Sequence, residues 1–375
     1  CESVGVKSVE RLFVSNSDMA RSRGMHRWYL VSFDDQVNPF EMAELFSSLS
    51  CVDKVQYNTV VSRDYGSEGT PYSYAPKAYG EFALPYNDPL LPDQWHYVNN
   101  LDISVAETSR SGADINVKNA WKLCAGDPMV IVAVCDEGVK YNHPDLIDNM
   151  WVNEDEIPGN GIDDDNNGYV DDIHGWNFLS TSDYPKTISW SEDGDKGHGT
   201  HVAGTVAAVN HNGIGVGGVA GGSGKGDGVK IMSCQVFSGN SSATVAARAK
   251  AYEYAANNGA CILQCSFGLS GGMVTSDGAF DMSYGVERAG LDYFFNYRQP
   301  YSPVDKNFAI FASGNDGYHL AGYPAAHRDY IAVSAIGPDY LPAFYTNYGP
   351  GSNIAAPGGD ASINRTAESN RAQVL

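Results

Sequence analysis

Short, nearly continuous apolar runs bounded by turn residues recur through the second half of the chain. Residues 129–134, 229–237, 260–265, 308–312 and 330–335 are too short for amphipathic helices and read as strands covered on both faces. Between two of them, 243–258 is rich in alanine and closes at Gly259, the pattern of a helix with a glycine just past its C-terminus. Strand, helix and strand in alternation predict an α/β fold built on a doubly wound parallel sheet. In such a sheet the chemistry gathers at the carboxyl ends of the strands.

The first sixty residues follow another pattern. Residues 27–33 read as a strand, 39–50 as a helix with Phe40, Ala43, Phe46 and Leu49 on one face, and 55–61 as a second strand. With 4–14 in front, they predict a small α+β unit over 1–64. Residues 65–92 are rich in Tyr, Pro and Gly without a periodic face, which predicts a linker, or a long loop laid on a surface. The α/β pattern occupies 93–375.

Composition narrows the function. Net charge is −21, from 24 basic against 45 acidic residues, so nucleic acid is a poor partner. No apolar run approaches the roughly 18 residues of a membrane span. Seven cysteines without a CxxC pair indicate neither a zinc site nor a dense disulfide framework. Cys1 is what a bacterial lipoprotein presents once cut before an acylated cysteine, or marks where the sequence was trimmed.

Asp136 ends the first core strand, where a parallel sheet places reactive groups, though a carboxylate there also serves turns and helix caps. His198 opens the run His198-Gly199-Thr200-His201-Val202-Ala203-Gly204, whose small residues suit a closely packed helix. It reads as a reactive imidazole, as a surface residue on a Gly-rich turn, or as a metal ligand with His201. The spacing lacks the Glu of a zinc helix.

Together these segments resemble the subtilisin-like serine proteases, the subtilases. Asp136-Glu137-Gly138-Val139 with Asn142-His143-Pro144-Asp145-Leu146 is similar to that family's Asp box, and 198–204 to its His box. Ser266-Phe267-Gly268 resembles the segment lining the primary specificity pocket, and Ala312-Ser313-Gly314-Asn315-Asp316-Gly317 the one carrying the oxyanion Asn. Phe344-Tyr345-Thr346-Asn347-Tyr348-Gly349 and Ile354-Ala355-Ala356-Pro357-Gly358-Gly359 continue the order, so the resemblance runs from about 92 to 360. Glu137 departs from it: a small hydroxyl residue is common there, and Glu adds an anion beside the pair.

The resemblance implies a serine endopeptidase acting on protein or peptide substrates. His198 would take the serine proton and return it to the leaving amine, and Asp136 would hold the ring. Asn315 would donate to the oxyanion, a contribution of about 10²–10³ in rate that was measured in this same family. Substrate main chain is expected along Val236, Phe237, Ser238 and Gly239 on one side and Ser266, Phe267 and Gly268 on the other. The Gly-Thr-Ser box is missing from the 375 residues, and Ser362 and Ser369 lack its flanks. The chain is therefore expected to be an inactive amino-terminal part of a protease, or else a non-catalytic subtilase-like binding protein.

The resemblance also gives 1–64 a role as a prodomain that occupies the cleft, with processing between Tyr65 and Asn87. Residues from Asn87 to Tyr97 resemble the start of a mature enzyme. A separate run, 163–172, sets Asp163, Asp165, Asn167 and Asp171 at positions 1, 3, 5 and 9 of an EF-hand-like loop, with Gly168 at 6 and Tyr169 at 7. Position 12 is His174, so Asp172 or water is expected to complete a structural Ca²⁺ site. Between 136 and 172 stand 12 acids against the single base Lys140, which suits a calcium-dependent extracytoplasmic protein, secreted, periplasmic or lipid-anchored.

Overall fold

The computed structural model describes residues 5–60, 84–101, 105–179, 188, 197–239, 241–360 and 373–375. Cys1, most of the expected linker, Ser362 and Ser369 lie outside them. Strands β1 (Val6–Arg11) and β2 (Tyr29–Phe33) form an antiparallel pair, with helix α1 (Asp18–Ser22) between them and α2 (Pro39–Ser47) after them. Then follow α3 (Val117–Ala120), β3 (Ile131–Glu137), β4 (Gly175–Asn177), α4 (His198–Ala207), β5 (Lys230–Ser238), β6 (Ser241–Ser242), α5 (Val245–Asn257) and β7 (Ile262–Cys265). Last come α6 (Asp277–Ser283), α7 (Gly285–Asn296), β8 (Phe308–Ala312), β9 (Ile331–Ile336) and β10 (Ile354–Pro357).

The large sheet runs β10-β9-β8-β7-β3-β5-β4, every neighbour parallel, and β6 turns back antiparallel on the end of β5. It is the doubly wound α/β sheet that the apolar runs predict: β3, β5, β7, β8 and β9 each lie within three residues of a run, while β4 and β10 fall outside the predicted runs. Alternation along β3 shows why those runs are continuous. Val132 and Val134 pack with Ala203 and Ala207 of α4, whereas Ala133 and Cys135 belong to the opposite core with α5 and α7. Both faces are dry, and each fully buried valine contributes about 1.5–3 kcal/mol.

The helix over 243–258 forms as α5. Thr244 caps its first turn by accepting from Ala247 N, and Gly259 adopts φ +85° just past its end.

In the amino-terminal unit two expectations need correction. Among the described residues, 55–60 form no strand and carry a single antiparallel bridge, from Val60 to Thr244; Val61 lies outside the described residues. The helix stops at Ser47, so Leu49 falls outside it, and Phe40 is 67% exposed. What the unit does bury is the loop between its strands: Leu12, Phe13, Ala20 and Met25 join the core formed by α5 and α7. The segment 55–60 then serves the two helix ends. Asn58 Oδ1 accepts from Ala246 N and Thr59 O from Val245 N, while Gln56 Oε1 accepts from Val286 N. Each fills an acceptor role that a first helical turn lacks internally.

Residues 84–92, the described end of the expected linker, lie on the α/β body. Leu84, Tyr86 and Leu91 pack with Tyr97 and Trp121, and Asp88 accepts from the main chain of His211 and Asn212.

Helix α4 approaches β3 so closely that a Cβ on Gly199 would stand 2.4 Å from the carbonyl oxygen of Glu137, whereas one on Gly204 would meet nothing within 4 Å. Gly199→Ala is expected to cost about 1–3 kcal/mol in urea unfolding. Gly204→Ala, on the open side of the same helix, is expected to be neutral or to stabilise by up to about 1 kcal/mol.

Candidate functional site

Four adjacent parallel strands, β5, β3, β7 and β8, end along one edge, and the sequence-predicted residues stand at those ends. Asp136 pairs in register with Gln235, Cys135 with Cys265, and Cys265 with Phe311. Ser238 and Gly239, Ser266, and Ser313 to Asn315 therefore follow neighbouring strands on either side of Asp136.

Asp136 and His198, sixty-two positions apart, meet. Nδ1 of His198 lies 2.7 Å from Oδ1 of Asp136. An ionised carboxylate only accepts, so Nδ1 carries the proton and the neutral ring keeps its lone pair on Nε2. The carboxylate is 1% exposed and the imidazole side chain 38%, so a partly exposed ring is backed by a buried anion. Asp136 Oδ1 also accepts from Glu137 N at 2.7 Å, and its Oδ2 has no hydrogen-bond partner among the described residues. Glu137 is fully buried, and its Oε2 accepts the main-chain N–H of His198 at 2.9 Å. No third His, Cys or carboxylate joins His198 and His201 among the described residues.

Asn315 is exposed at the tip of the turn after β8. Its neighbours are held by Asn347, which sequence reasoning placed in a family segment without giving it a task. The fully buried Asn347 side chain donates to Ser313 O and Asp316 Oδ2 and accepts from the N–H groups of Asp316 and Tyr318. Its own N–H donates to Gly314 O at 2.9 Å. One amide thus ties down both flanks of the residue it never touches.

The expected substrate segments divide. Val236, Phe237 and Phe267 turn their side chains into the core, where the Phe267 ring sits 5.3 Å from Phe237 and 6.1 Å from Phe311. Ser238, Gly239, Ser266 and Gly268 are partly exposed. At these positions main chain and small residues, rather than aromatic side chains, reach the edge.

The acidic run folds differently from a simple loop ligand set. Asp165 and Asp172 converge with Glu156, all three offering carboxylate oxygens within 4.8 Å of one another. Asp163 instead accepts from Asn167 N and Gly168 N, and Asp171 from Asn160 N and Gly161 N. Asn167 donates to both Asp165 and Asp172, and the Tyr169 ring is buried against Tyr254 and Trp176. Burial pushes the Asp172 carboxyl up to about 6. Three crowded carboxylates, two of them (Glu156 and Asp172) buried, are a donor set suited to a hard cation. Glu156 was the missed member. It lies outside the 163–172 run, and its only sequence signal was the acid density of 136–172.

No helix of the described residues is long and apolar enough to cross a membrane. The Peptidase_S8 profile of the subtilase family matches residues 127–374. Halolysin of Haloferax mediterranei is 31% identical over 244 residues, covering 65% of this chain and 38% of its own. A thermophilic serine proteinase of Bacillus sp. strain AK1 is 26% identical over 94% of this chain and 74% of its own. The chain spans 25–38% of the length of the first curated relatives it matches. Among solved structures, a protease from Pseudoalteromonas arctica superposes with a TM-score of 0.50 at 23% identity, covering 74% of this chain and 73% of its own. With the family profile matching residues 127–374, two thirds of the chain, and an Asp–His pair at the carboxyl end of β3, this chain belongs to the subtilase family.

Proposed function

We propose that the chain is part of a secreted or surface-exposed serine endopeptidase, and that His198 is its general base. The observation that carries this reading is the 2.7 Å contact between His198 Nδ1 and the buried Asp136 carboxylate. A neutral imidazole held in that tautomer accepts the proton of a serine hydroxyl through Nε2 as the hydroxyl attacks a carbonyl. The imidazolium so formed is stabilised by Asp136. Asn315 then donates its amide to the developing oxyanion, and substrate main chain passes the partly exposed Ser238, Gly239, Ser266 and Gly268, since Val236 and Phe237 are already covered by β3 and β6. The nucleophilic serine is assigned to residues outside these 375, so this chain alone should not acylate.

Residues 1–64 act, in this reading, as a prodomain. Support comes from Asn58, Thr59 and Gln56 serving the starts of α5 and α7, and from Val60 bridging Thr244 beside β6. That bridge lies next in sequence to β6, which pairs with the end of β5, and it precedes the proposed processing region of Tyr65 to Asn87. Glu156, Asp165 and Asp172 would hold a structural Ca²⁺, which would neutralise their mutual repulsion and fix the 153–172 segment.

Protein extended to include a Gly-Thr-Ser box is expected to be labelled by a serine-reactive fluorophosphonate, with labelling lost in His198→Ala and absent from the 375-residue chain. An extended protein that stays unlabelled would instead be a non-catalytic binding protein. Calcium at millimolar concentration is expected to raise the melting temperature of the chain by several degrees, and Glu156→Gln or Asp172→Asn to abolish that rise. Asn347→Ala takes the side-chain partner from the buried Ser313 carbonyl and from the N–H groups of Asp316 and Tyr318, and is expected to destabilise by about 1–3 kcal/mol. Faster amide exchange at Asp316 and Tyr318 should locate the effect.

A further inference from the structure

Strand β3 ends in two consecutive buried carboxylates that hold one residue at two points. Asp136 takes the ring of His198 through Nδ1 at 2.7 Å, and Glu137 takes its main-chain N–H through Oε2 at 2.9 Å. The second contact answers a definite need. His198 is the first residue of α4, so its N–H has no acceptor within the helix, and the preceding Gly197 offers no side-chain cap. Gly197 also enters the helix at φ +75°, a conformation open chiefly to glycine, the residue with the most backbone freedom to lose on folding. An acceptor from outside the helix fixes that entry, and the bare α-carbon of Gly199 lets the first turn come close enough to reach it. Where subtilases commonly carry a small hydroxyl residue after the Asp, this chain carries a long side chain whose carboxylate reaches the start of the helix.

We propose that Glu137 is a positioning residue, whose carboxylate pins the main chain of His198 so that the imidazole keeps its Nδ1–H on Asp136. Two anchors on one residue, at the backbone and at the ring, restrict both the placement of the α-carbon and the side-chain torsions between them. Without the backbone anchor the first turn of α4 frays, and the short Nδ1–Oδ1 contact opens. The work is that of an acceptor at the right reach, so a neutral acceptor of the same length substitutes for it. The inference rests on the reading of His198 as general base, but its readout needs no serine.

The test is the proton shared by His198 and Asp136, observed by NMR in the ¹⁵N-labelled 375-residue chain. It is expected well downfield of the other imidazole N–H signals and is assigned by its absence in His198→Ala. In Glu137→Gln the signal should persist with unchanged exchange. In Glu137→Ala it should exchange with water at least several-fold faster or vanish, since the buried acceptor of the His198 main-chain N–H is lost. Glu137→Met, which fills the volume without an acceptor, gives the same readout should the alanine variant fail to fold. Circular dichroism confirms that each variant is folded. An unchanged signal in a folded Ala or Met variant would overturn the proposal, and so would its loss in the Gln variant. Fluorophosphonate labelling of the extended protein fails or succeeds independently of this result.

Discussion

A carboxylate without water at the end of a central strand is the constraint around which this molecule is arranged. Asp136 is 1% exposed, and an isolated ionised carboxyl at such depth costs several kcal/mol. Two donors offset that cost, the N–H of Glu137 and the ring N–H of His198. The second donor exists only if α4 begins at the mouth of β3. That in turn requires a residue without a Cβ at position 199 and small side chains at Ala203 and Ala207, which lie against β3. The run of small residues after His198 is therefore the packing condition for bringing an imidazole to a buried anion.

The amino-terminal unit is held by the same physics in another place. Helices α5 and α7 present uncapped N–H groups, and Gln56, Asn58 and Thr59 supply oxygen acceptors from a separate part of the chain. Farther along α5, Glu253 accepts from Val14 N and Ser15 N, and burial beneath the unit pushes its carboxyl up to about 7. Four apolar residues, Leu12, Phe13, Ala20 and Met25, provide the burial that makes these polar contacts dry. The small sheet contributes little: β1 and β2 are only a pair, and α2 buries none of its side chains. Most of the order of this unit is borrowed from the larger body.

That dependence explains which features the sequence could reveal. Strands β3, β5, β7, β8 and β9 were legible because burial on both faces forces unbroken apolar runs, and a pattern within one segment suffices to see it. Residues 55–61 carry Val55, Tyr57 and Val60 in a strand-like spacing, yet these are 36–62% exposed. The segment's role is fixed by helix ends some 190 and 230 positions away, which no local pattern encodes. Glu156 escaped for a related reason, since the chain folds back to bring it beside Asp165 and Asp172. The orientation of Phe237 and Phe267 was equally hidden. Residue type alone cannot tell an aromatic that lines a cleft from one that fills the core behind it.

At the site itself, accessibility and rigidity fall to different residues. His198 is partly open and Asn315 exposed, as groups that meet a substrate must be, and an exposed side chain is poorly fixed by packing of its own. In each case a fully buried neighbour holds the main chain instead: Glu137 at the start of α4, and Asn347 around 313–318. Both use hydrogen bonds to backbone, whose geometry tolerates little drift, and both are shielded from competing water. The arrangement predicts that the residues governing the precision of such a site lie one layer beneath it. Substitutions at Glu137 or Asn347 should then disturb the placement of His198 or Asn315 while leaving those two side chains chemically intact.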